Sequence, residues 1–164
     1  MKTSSDSICA GCARAGKSCC VNRQIYLTPG DVERITRATG AGAFVTEEAP
    51  WPQYREDGGD DPVWSINVLN GERRRTLARR QDGSCVFLGD RGCLLDLQVR
   101  PLLCRLHPYE YAECGLEGLD ATCPVAVCGD PAGVLREMGM APEAVSAWHR
   151  TLYEEIRTGG RRQR

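Results

Sequence analysis

Large aromatic residues are scarce in this 164-residue chain, which has two Phe, three Trp and five Tyr. That scarcity points to a modest core, and eighteen glycines point to a chain rich in loops. Such a chain often needs a covalent or metal staple. Neither sign of charge dominates: 21 Lys and Arg face 22 Asp and Glu, for a net charge of −1. No global field therefore recruits nucleic acid or an acidic membrane. No apolar run reaches the roughly 18 residues of a membrane span. The opening MKTSSDS lacks the apolar stretch of a signal peptide, so a cytoplasmic location is expected. Catalytic signatures are also sparse. There is no G-x-G-x-x-G, no carboxylate pair at a telling spacing and no internal repeat, and the only histidines are His107 and His149. Catalytic residues therefore stay unassigned. Apolar content of 41% and charged content of 26% exclude wholesale disorder. The length suits one domain.

Ten cysteines are what the chain does have. In a secreted protein an even number reads as disulfides. In a reducing cytosol, clustered thiols are more often metal ligands or redox groups. They form three groups. Cys9, Cys12, Cys19 and Cys20 lie in ICAGCARAGKSCC, read as a short polar loop. Cys85, Cys93 and Cys104 follow, and then Cys114, Cys123 and Cys128. The C-x2-C of Cys9 and Cys12 can turn two sulfurs onto one centre, as zinc and iron–sulfur sites both require. In CVFLGDRGC, Gly89 and Gly92 let the backbone fold tightly between Cys85 and Cys93 and aim amides at sulfur. Arg100 and Arg105 flank Cys104 and would offset thiolate charge. Adjacent Cys19 and Cys20 point to opposite faces in extended backbone. Unless the loop turns sharply, they serve two centres, or one centre and the core. For Cys114 and Cys128 an inert place in the core is as good a reading as ligation.

Local signals predict an α+β domain: small, irregular and metal-stapled, with a short antiparallel hairpin sheet and a C-terminal amphipathic helix. Residues 1–7 read as a tail, 8–130 as the cysteine-cluster domain, 131–158 as a helical segment and 159–164 as a basic tail. Residues 24–27 suit a short strand. Thr28-Pro29 opens a helix that Gly40 ends, with Asp31 at its third position. Period-two residues 63–69 pair with 72–78 across Asn70-Gly71. Arg100-Pro101 opens a short helix carrying Cys104. Residues 107–122 carry no clear signal. Val145, Trp148, His149, Leu152, Tyr153 and Ile156 share one face of a helix that starts at Pro142 and stops at Gly159.

The run ICAGC…SCC, then GSCVFLGDRGCLLD, VRPLLCRLHPY and Cys123-Pro124, resembles a family of bacterial cysteine-cluster proteins, the CxxCxxCC or YkgJ-type zinc- or iron-chelating domains. The resemblance covers roughly residues 8–125. It implies that Cys9, Cys12, Cys20, Cys85, Cys93, Cys104 and Cys123 fall on the family's cysteines. Cys19 completes the CC pair, although residues 13–18 make six where typical members show two. His107 stands where many relatives have an aromatic residue, and packing is its expected role.

The expected function is therefore metal binding, by Cys9, Cys12, Cys19, Cys20, Cys85, Cys93, Cys104 and Cys123. The cofactor would be zinc or an iron–sulfur cluster, of 4Fe–4S type if iron, holding the fold and open to redox chemistry. One alternative is an iron–sulfur enzyme of group transfer, since a relative is the S-adenosylmethionine-dependent flagellin lysine methylase. Another is a zinc module that binds RNA or a protein partner through Arg73, Arg74, Arg75, Arg79, Arg80 and the arginines of the tail. A charge run on a hairpin is usually a solvated face, so nucleic acid is the weaker partner.

Overall fold

The computed structural model describes residues 8–16, 19–40, 42–54, 63, 68–69 and 72–161. It shows an α+β domain of five α-helices and three small antiparallel sheets among those residues. The expected tail at residues 1–7 and the Asn70-Gly71 turn lie outside them.

The polar run containing Cys9 and Cys12 is a helix, α1 (Ile8–Arg14), not a loop. A three-residue offset puts both thiols on one helical face. Helix α2 (Pro29–Thr39) follows expectation. The Thr28 hydroxyl accepts a hydrogen bond from the Asp31 amide, the Asp31 carboxylate accepts one from the Thr28 amide, and Gly40 closes the helix at φ +68. Residues 24–27 form no strand of their own. They run extended beside β3 (Arg73–Leu77), with Leu27 N donating to Arg75 O at 3.0 Å and Leu77 N donating to Ile25 O at 2.8 Å.

Strands β1 (Val45–Glu48) and β2 (Val68–Leu69) flank β3 in the order β1-β3-β2. The arginines of β3 and its exit match the solvated face that the charge run predicts only in part: Arg73 and Arg80 are exposed, whereas Arg74 and Arg79 turn inward. Arg74 is buried over the Tyr26 ring at 4.7 Å. Arg79 grips both Glu48 carboxylate oxygens, at 3.0 and 2.9 Å, and lies over Trp51 at 4.5 Å. Arg80 donates to the carbonyls of Val86 and Leu88 at 2.9 Å each. These cations hold the sheet and the next loop together.

A tight hairpin follows, β4 (Leu88–Gly89) against β5 (Gly92–Cys93), with Leu88 opposite Cys93. Gly92 sits at φ +101, which an L-residue rarely adopts. Helix α3 (Leu102–Leu106) carries Cys104 as expected. The unreadable stretch is a second hairpin, β6 (Tyr109–Ala112) with β7 (Gly115–Leu119). A 3-10 turn (Pro124–Val127), α4 (Pro131–Glu137) and α5 (Pro142–Arg161) complete the chain.

Helix α5 does not stop at Gly159 but runs on to Arg161. A side chain at Gly159 would stand 3.1 Å from the Pro29 ring, so this glycine serves close packing against the start of α2 rather than a cap. The predicted stripe is the buried face: Val145, Trp148, Leu152, Tyr153 and Ile156 are all under a tenth exposed. They join Leu102, Leu106, Val125, Leu135 and Met140 in the larger core. A smaller core gathers Leu27, Ile35, Phe44, Leu77 and Leu95. Among the described residues no helix is long and apolar enough to cross a membrane.

Candidate metal centre

The thiols meet between the two cores. Cys85 and Cys93 pack against the smaller one, and Ile8, Leu97, Leu103 and Cys123 against the larger. Between them lies a cavity of about 490 Å³. Cys9, Cys12, Cys19, Cys20, Cys85, Cys93, Cys104 and Cys123 all line it. These are the eight thiols that the sequence analysis singles out, and they come from α1, the loop after it, the β4–β5 hairpin, α3 and the start of the 3-10 turn. All ten cysteines are free thiols.

Local structure explains how distant segments converge. The turn at Cys19 and Cys20 is sharp enough for both side chains to reach the same cavity, where the two thiols hydrogen-bond each other. The Cys85 amide donates to Cys20 O at 2.7 Å, and the Asn22 amide to Gly83 O at 3.1 Å, which ties the vicinal pair to the hairpin. At Gly92, β5 passes α1 at ordinary contact distance, 3.9 Å from the Ala10 amide to where a Cβ would stand, and the positive φ rather than crowding calls for glycine. The Phe87 amide donates to Cys85 Sγ at 3.4 Å, and the Leu95 amide plays the same part for Cys93. Such amide–sulfur bonds favour the thiolate.

Electrostatics make the wall a strained place for anions. Burial raises the Cys9 pKa, Arg100 opposes the rise, and Cys12, Cys123 and Cys20 add to it. The bond to Cys20 raises Cys19, and burial raises it further. Burial pushes Cys85 up to about 11, against the Phe87 amide, with Cys20 and Cys93 adding to the rise. Burial also raises Cys93, where the Leu95 amide and Arg100 oppose it. Cys104 is raised well above the ordinary value by burial, then by Cys20, Cys85 and Cys93. Cys20 is thus the shared neighbour, and each thiolate is disfavoured by the others. A cation removes that mutual repulsion, because it turns crowded thiolates from a cost into a coordination shell.

The donor set fits zinc or an iron–sulfur centre, since soft sulfur ligands select these over hard cations. As the side chains stand, no three Cys, His, Asp or Glu among the described residues are gathered closely enough to hold one ion. The thiols ring the cavity rather than close on a point.

Cys114 and Cys128 stand apart. Cys114 is exposed at the β6–β7 turn, not buried in a core, and Cys128 donates to Val125 O at 3.1 Å. His107 lines the cavity, and burial followed by Arg23 lowers its pKa, so it is neutral near pH 7. Sequence reasoning missed Arg91 and the pair Arg23–Asp120, which also line the cavity. Arg91 sits in the GDRG turn, and that position was its one signal.

Comparison with curated proteins and with solved structures finds no match. Comparison with family models does: residues 8–124 match the CxxCxxCC model, described as a putative zinc- or iron-chelating domain. That span takes in all eight cavity thiols and leaves α4 and α5 outside. The chain belongs to the CxxCxxCC family of zinc- or iron-chelating domains.

Proposed function

We propose that the eight cavity thiols hold a zinc ion or an iron–sulfur centre, with Cys20, Cys85, Cys93 and Cys104 as the inner ligands and Cys9, Cys12, Cys19 and Cys123 around them. The observation that carries this reading is the convergence of eight of ten cysteines, from five separate segments, on one cavity between the two cores. Cys20 raises the pKa of Cys85, Cys93 and Cys104, and Cys85 and Cys93 raise that of Cys104 in turn, which supports taking these four as the inner set. Arg100, beside Cys9 and Cys93, offsets part of the thiolate charge.

Between the two metals, the breadth of the wall supports iron–sulfur. Eight thiols around about 490 Å³ suit a multi-atom core better than a single four-coordinate ion. A 4Fe–4S cluster would supply one-electron chemistry, and the chain's residues would bind it, shield it from water and balance its charge. This reading assigns no catalytic residue.

The test is metal content across single Cys→Ser variants, purified without oxygen. Replacement of Cys20, Cys85, Cys93 or Cys104 should abolish stoichiometric metal. Cys114→Ser, which changes an exposed thiol off the cavity, should retain it. Equal metal content in all five variants would refute the assignment.

A further inference from the structure

Behind the thiol cavity lies a buried polar cluster that links α2, α3 and α5. Asp31 is wholly buried and accepts three hydrogen bonds: from the Thr28 amide at 3.1 Å, from Arg34 Nη2 at 2.7 Å, and from the Leu102 amide at 3.0 Å. Leu102 is the first residue of α3, two positions before Cys104. Glu155, from α5, closes the other side. Its carboxylate takes both Arg34 Nη atoms and the Thr28 hydroxyl. Arg105, next to Cys104, is itself buried and donates from Nε to Arg100 O at 2.7 Å. The large side chains of α3 and α5 pack together beside this cluster, with Leu102, Leu106, Leu152 and Ile156 all at most 1% exposed.

We propose that Glu155, acting through Arg34 and Asp31, is a positioning residue that fixes helix α3 and so holds Cys104 at the metal centre. The proposal rests on the metal-site reading. It makes α5, which lies outside the family-matched residues 8–124, part of the working site. Short helices do not hold themselves. Five residues make little more than one turn, and the first four amides of any helix lack partners inside it. Asp31 supplies that partner for α3, and it keeps its place because Arg34 is held by Glu155. Without Glu155, the half-buried Arg34 guanidinium loses its second carboxylate and is left with Asp31 alone. The amide of Leu102 is then less firmly held, and the ligand two residues on has freedom to leave the metal.

The experiment compares metal release from the full, metal-loaded chain. Elemental analysis identifies the metal carried by the wild type. Release is then followed with 4-(2-pyridylazo)resorcinol for zinc, or with bathophenanthroline and dithionite for iron. Glu155→Gln should speed release about tenfold, the lower edge of the effect of removing an outer-shell partner. Arg34→Lys keeps one charge contact and should lie between it and wild type. Glu48→Gln is the control: it breaks the Arg79 pair, and its bonds run to Arg79, Thr76 and Gln24 rather than to Asp31, Arg34 or α3, so release should be unchanged. Wild-type release in Glu155→Gln, or equal acceleration in Glu48→Gln, would overturn the positioning role alone. Wild-type protein without stoichiometric metal would overturn the metal-site reading, and this inference with it.

Discussion

Gly30→Ala is the substitution on which helix propensity and tertiary structure disagree about sign. Gly30 lies in the first turn of α2, where alanine should help by up to about 1 kcal/mol. A Cβ there, however, would come within 2.3 to 2.5 Å of the Glu155 carboxylate. Backbone is not in the way, so the carboxylate can swing aside. In doing so it gives up Thr28 and Arg34 together. Hydrogen bonds to a charged group contribute about 1.5–3 kcal/mol, and Glu155 at 19% exposure and Arg34 at 25% belong toward the lower part of that range. The net effect is a loss of about 0.5–2 kcal/mol. Thermal unfolding of metal-loaded protein reads it, at about 2–4 °C per kcal/mol for a chain of this size. The variant should melt lower than wild type by a few degrees. A melting temperature equal to or above wild type would show that the Glu155 contacts contribute less than helix propensity, and would remove the energetic basis of the α5 clamp.

Three further outcomes are expected. Leu152→Ala empties a fully buried site between α5 and α3 and should cost about 2–5 kcal/mol, measured by urea unfolding. Glu48 carries a pH signature. Burial alone would raise its pKa, but bonds from Arg79, Thr76 and Gln24 lower it below the ordinary value. Its stabilisation is therefore full above the unfolded-state value of about 4.3 and is lost as pH falls through the lower folded-state value. Glu48→Gln should cost about 1–2 kcal/mol at pH 7, and the gap to wild type should close toward pH 3 in urea titrations. The double variant Cys114→Ser/Cys128→Ser should keep wild-type metal content and absorption, because neither thiol lines the cavity.

Much of the fold was legible wherever a local rule acts alone. Helix α2 is written in Thr28-Pro29, Asp31 and Gly40, and α5 in its apolar stripe. The β4–β5 hairpin is written in the glycines on either side of Asp90-Arg91. Elements that depend on tertiary contacts were not legible. Helix α1 has one buried residue, Ala10, and a glycine at its centre, so its stripe is too narrow to read. Hairpin β6–β7 hides behind exposed Glu110, Glu117 and Gly118, and Tyr109, Tyr111 and Leu119 only become apolar anchors when the larger core is present. The cysteine spacings singled out the eight thiols that line the cavity, yet nothing in them disclosed that Cys19 and Cys20 turn into one cavity. Nor did they show that Asp31, 73 residues before Cys104, anchors its helix.

The most direct measurement is elemental analysis joined to an absorption spectrum of wild-type protein purified without oxygen. The account predicts stoichiometric zinc or iron, with sulfide and visible charge-transfer absorption if the metal is iron. Metal-free protein that stays folded, or thiols found oxidised into pairs, would contradict it.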